Sequence, residues 1–89
     1  MNREDEIANE IELQLYGLYP LPRTIEQVHR AAKKAGLDYS ARELARVMAF
    51  KVGEAVVEEK IVAGQLEKAY VLTSAGYRQA HHKFGTGEE

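Results

Sequence analysis

The chain has no cysteine, no tryptophan, only two prolines, and no apolar run longer than four residues, such as Val47-Met48-Ala49-Phe50. Each absence excludes something. Without cysteine there is no disulfide framework, no Cys-ligated zinc site and no thiol nucleophile, so the core must hold itself together. A four-residue run is far from the roughly 18 residues that cross a bilayer, so no membrane partner is expected. The start, Met-Asn-Arg-Glu-Asp-Glu, lacks the basic-then-apolar order of a secretory signal, and the expectation is a cytoplasmic protein. What is present is 89 residues, 45% hydrophobic and 29% charged. A chain of this size buries roughly 60–65% of its unfolded surface and has room for one core.

Charge is distributed unevenly. The formal net charge is −2, too low for a protein that coats nucleic acid by charge alone. Yet residues 23–51 carry seven Lys and Arg against three carboxylates, a +4 block between acidic stretches at 1–22 and 52–67. Such a block points to an anionic partner for the middle of the chain, or to the mixed charge of ordinary helical surfaces.

The pattern of elements is helix, helix, helix, hairpin, helix. Asn2 caps a first helix with Glu4, Asp5 and Glu6 in its first turn. Ile7, Ala8, Ile11, Leu15 and Leu18 form its core face, while Leu13 and Tyr16 point elsewhere. Thr24-Ile25-Glu26-Gln27 is a capping box opening a second helix that Gly36 closes. Ser40-Ala41-Arg42-Glu43 is another. The third helix is expected over 41–59, about 28 Å long, with a core stripe of Ala41, Leu44, Ala45, Met48, Val52, Ala55 and Val56. Its opposite side carries Arg42, Arg46, Gly53 and Lys60, bordered by Phe50 and Val57. Ile61-Val62-Ala63 and Ala69-Tyr70-Val71-Leu72 read as a two-stranded hairpin around a five-residue loop. Thr73 or Ser74 caps a last helix with Tyr77, Ala80, His81 and Phe84 on one face. One domain is expected over 1–84, followed by a disordered tail over 85–89.

Tyr70-Val71-Leu72-Thr73-Ser74-Ala75-Gly76 resembles the "Y-x-L-T-x-x-G" passage from the last wing strand into the next helix of winged helix-turn-helix regulators. Val57-Glu58-Glu59-Lys60-Ile61 resembles the "L-x-x-x-G-x-I" approach to the wing, with Lys60 where glycine is common. The resemblance covers roughly residues 5–84 and is nearest to short regulators that repress transcription as dimers. It implies an α+β, mainly α fold of three helices, a two-stranded wing and a C-terminal helix, and duplex DNA binding through the third helix and wing.

The chemistry leaves two readings open. For DNA, Arg42 and Arg46 lie one turn apart where base edges are read, and arginine binds guanine bidentately. Tyr39 and Ser40 at the helix start, with Arg30, Lys33, Lys34 and Lys68, supply phosphate contacts. For a protein-interaction or dimerisation module, Phe50 and Val57 make the third-helix face greasy, and Leu13 and Tyr16 add apolar surface. Leu13, Tyr16, Tyr77 and Phe84 suit a homodimer, or complete a small core. An enzyme is not expected: there is no glycine-rich phosphate loop, nucleophile elbow or HExxH. No cofactor is implied. His29 reads as a surface or half-buried side chain. His81 and His82 are adjacent, about 100° apart on a helix, which is not chelating spacing.

Overall fold

The computed structural model describes residues 2–64 and 66–85. Helix α1 (Arg3–Gly17) starts at Asn2, whose side chain accepts from the Asp5 amide at 2.8 Å. Strand β1 (Arg23–Thr24) leads directly into α2 (Ile25–Lys34), and α3 (Ala41–Gly53) follows. Both expected capping boxes form, at Thr24/Gln27 and Ser40/Glu43. Strands β2 (Val57–Ile61) and β3 (Lys68–Leu72) make the wing, and α4 (Ser74–Ala80) runs on into a π-helical turn at His81–Gly85.

The third helix is shorter than its periodicity predicts. It stops at Gly53 because Ala55 turns into the left-handed region at φ 64. The Ala55 amide donates to the Val52 carbonyl and the Val56 amide to the Lys51 carbonyl, each at 3.0 Å. This is the hydrogen-bond pattern of a Schellman motif, with alanine in the place that usually takes glycine. Nothing in Ala55-Val56-Val57 breaks a helical pattern, which is why the periodicity alone extends the helix to Glu59. The hairpin is correspondingly longer: β2 pairs antiparallel with β3 from Val57↔Leu72 to Ile61↔Lys68. A third strand, β1, pairs with the outer edge of β3, giving the order β1-β3-β2. Its two residues are too few to show a period in the sequence.

The core collects Ile7, Ile11 and Leu15 from α1, Val28 and Ala32 from α2, and Leu44, Val47 and Met48 from α3. Val57, Leu72 and Ala80 close it from the wing and α4. The buried stripe of α3 is therefore rotated from the expected one, because Ala41 and Ala45 face solvent and Val47 is buried. Leu18, expected in the α1 stripe, lies past the helix end and is exposed. Glu12 was not anticipated as an inside residue. It is only 3% exposed, and it accepts from Lys83 at 2.9 Å and pairs with Lys51 at 3.0 Å, tying α1 to α3 and to the C-terminal turn. Burial alone would raise its pKa; the two lysines outweigh that and hold it below the usual carboxylate range.

The junction of β3 and α4 locks onto the end of α3. The Thr73 hydroxyl donates to the Ala55 carbonyl at 2.6 Å and accepts from the Gly76 amide at 2.9 Å. A Cβ on Gly76 would collide with the Val56 carbonyl. At the other end, Gly85 is buried against Tyr16 and His81. Expected to open the tail, it instead closes the C-terminal turn; the rest of that tail, 86–89, lies outside the described residues.

Two substitutions test these backbone constraints by urea denaturation. Ala55→Gly relieves a left-handed alanine and should stabilise by about 0.5–1 kcal/mol. Gly76→Ala should destabilise by more than about 2 kcal/mol, because backbone rather than a flexible side chain obstructs the new methyl.

Candidate nucleic-acid interface

Helix α3 buries Leu44, Val47 and Met48, so at 100° per residue its outward face centres on Arg42, Arg46, Ala49 and Gly53. All four are exposed, as is Ala45 between them. Two arginines thus stand beside the small residues Ala45, Ala49 and Gly53, with the exposed ring of Phe50 at the edge of the face.

The two arginines differ in their surroundings. Arg42 makes no ion pair among the described residues, whereas Arg46 reaches back to Glu4 of α1 at 3.1 Å. Beside it, Arg3 grips Glu43 through Nε at 2.6 Å and through a second nitrogen at 3.1 Å, and also reaches Asp38. The Arg3 guanidinium and the Ser40 amide hold the Glu43 carboxyl down at about 2. The start of α1 is thereby clasped to the start of α3 by two ion pairs of opposite sense.

Tyr39 does not face outward. It is buried in the core with Arg3 5.2 Å above its ring. Burial, then the nearby Glu6 carboxylate, raises its hydroxyl pKa. It is a packing residue, and its burial takes it away from the surface where the expected phosphate contact would be made. Ser40 is exposed, but its side chain is occupied with the Glu43 amide at 3.1 Å.

Arg30 and Lys68 line two adjoining grooves between α2 and the wing. A groove of about 420 Å³ separates α2 from the wing, lined by Ile25, Glu26, His29, Ala41, Glu67, Lys68 and Tyr70. A neighbouring groove adds Arg30 and the wing residue Leu66. Arg30 is paired with Glu26 at 2.9 Å, and Lys68 with Glu59 across the hairpin at 3.6 Å. Lys33 and Lys34 are exposed and form no ion pair among the described residues. Sequence reasoning missed Arg3 and Glu4, whose effect on α3 depends on tertiary contact, and Arg23, half-buried in β1 with an unpaired Nε.

The expected apolar patch on α3 is only half present. Phe50 is 59% exposed, but Val57 is 1% exposed, because it begins β2 and points into the core instead of extending α3. On α1, Leu13 is exposed and Tyr16 is half-buried. Tyr16 packs in an aromatic group with Tyr77 and Phe84, at centroid distances of 5.4 and 6.1 Å.

Glu12 and Glu43 both sit below their ordinary value of 4.5 when folded. Their contribution to stability is therefore complete above about pH 4.5 and is lost as pH falls, for Glu43 towards about 2. Thermal unfolding followed from pH ~6 to ~3 should show a falling midpoint, and Glu43→Gln should flatten that fall.

Among the described residues no helix is long and apolar enough to cross a membrane, and no three His, Asp or Glu gather as metal ligands. No family model and no curated protein matches the chain. The X-ray structure of a PadR-like transcription factor from Bacteroides fragilis superposes with a TM-score of 0.79, covering 97% of this chain and 84% of that one at 18% identity. That likeness is one of fold, and with the element order, the wing and the Thr73–Gly76 junction it gives the conclusion: this chain has the winged helix-turn-helix fold.

Proposed function

We propose that the chain is a DNA-binding transcriptional regulator of the cytoplasm that docks the outer face of α3 on duplex DNA. The observation that carries this reading is the composition of that face: Arg42 and Arg46 stand exposed among Ala45, Ala49 and Gly53. Small neighbours allow close approach to the floor of the major groove, where arginine reads guanine and an alanine methyl meets thymine. Lys33, Lys34 and Arg30 on α2, with Lys68 on the wing, then neutralise phosphates on either side. The PadR-like neighbour is described as a transcription factor, which agrees with this reading.

A dimer belongs to the same proposal. Leu13 at 46% and Tyr19 at 38% exposure, beside Tyr16, Tyr77 and Phe84, offer α1 and α4 as the contact between two copies. Two copies would present two α3 faces to two half-sites. The protein-binding alternative for α3 loses Val57 to the core and rests on Phe50 alone.

Fluorescence anisotropy with a mixed-sequence duplex over a salt series tests the proposal. Affinity should fall steeply with salt, and Lys33→Ala with Lys34→Ala should lower the slope of log affinity against log salt by about 2. On a duplex selected for tight binding, Arg42→Ala should cost about 1–3 kcal/mol and relax the preference at one base position. Phe50→Glu should leave the fold intact and cause no comparable loss of base preference. Salt-independent or absent binding at micromolar protein would overturn the reading.

A further inference from the structure

The two outward arginines of α3 are not equally available. Arg42 is unpaired among the described residues, while Arg46 is held by Glu4 at 3.1 Å, with the two side chains 63% and 50% exposed. Glu4 belongs to the acidic first turn of α1, and the adjoining Arg3 locks that turn in place by its bidentate grip on Glu43. Glu4 is thus presented to Arg46 by a fixed backbone.

We propose that Glu4 is an intramolecular competitor for Arg46 that weakens the binding of DNA phosphates by α3. The inference rests on the DNA-binding reading above. A phosphate must displace the Glu4 carboxylate before it can bind Arg46, and both are anionic acceptors able to bind a guanidinium bidentately. Arg3 acts in the complementary sense: by occupying Glu43 it screens the carboxylate nearest the start of α3, where a phosphate would otherwise be repelled. Arg3 and Glu4 together therefore shape the charge that α3 shows to a polyanion.

The test compares Glu4→Gln with Asp5→Asn. Both remove one negative charge from the first turn of α1, but only Glu4 pairs with Arg46. Anisotropy is measured with a mixed-sequence duplex at fixed salt, on the full chain, in wild-type and Arg46→Ala backgrounds. Glu4→Gln should tighten binding about 2–5-fold, the range of an exposed ion pair. Asp5→Asn should do clearly less, and the Glu4→Gln gain should vanish when Arg46 is alanine. Equal effects of the two substitutions, or a gain that persists without Arg46, would show general charge repulsion and overturn the proposal while leaving DNA binding intact. Failure of wild type and every variant to bind the duplex would overturn the DNA-binding reading itself, and this proposal with it.

Discussion

Thr73, just past the end of β3, ties together the end of α3, the start of β2 and the start of α4. Its hydroxyl donates to the Ala55 carbonyl where α3 ends and accepts from the Gly76 amide where α4 begins. The Thr73 amide meanwhile donates to the Val56 carbonyl at 2.9 Å, just before β2 starts. One residue therefore sets the angle between α3 and the wing, and the seat of α4. The absence of a side chain at Gly76 is the steric condition for this, since the Val56 carbonyl occupies the space a methyl would need. With α4 so placed, its continuation carries Lys83 to Glu12, and Glu12 also pairs with Lys51 of α3. The helix proposed to read DNA is thus secured by the same contacts that secure the ends of the chain.

Electrostatics divides along the same lines. The buried Glu12, clamped by two lysines, is structural; removing it would leave the largely buried Lys51 with the exposed Glu54 as its ion-pair partner. The exposed pair of Glu4 with Arg46 contributes little to stability by its nature, whereas the bidentate Arg3–Glu43 pair adds a share that depends on pH. Their importance lies in deciding which charges of α3 remain open. A formal charge of −2 therefore describes the surface poorly. Much of the acidity of residues 1–22 is spent on internal partners, and the basic face of α2 and α3 is left partly uncovered.

Local chemistry was legible in the sequence wherever a single turn decides the structure. The caps at Asn2, Thr24, Ser40 and Thr73, and the left-handed Gly36, follow from side chains acting on amides within three residues or from a missing Cβ. The end of α3 was not legible, because an alanine took the left-handed position and the valines after it fit either period. That one error carried Val57 onto the outside of a helix when it belongs in the core. Tyr39 shows the same limit at the candidate interface: its position before the capping box suggested an anion contact, but the side chain turns inward beneath Arg3. The roles of Glu12, Arg3 and Glu4 depend on partners 35 or more residues away, which no local pattern records.

In the proposed complex α3 meets DNA, with α2 and the wing beside it. Backbone amide NMR shifts followed while duplex DNA is titrated into the labelled protein examine this directly. The account predicts the largest changes at Arg42, Ala45, Arg46 and Ala49, smaller ones at Lys33, Lys34 and Lys68, and little change in the second half of α1. Changes confined to α1 and α4, or none at saturating duplex, would contradict it.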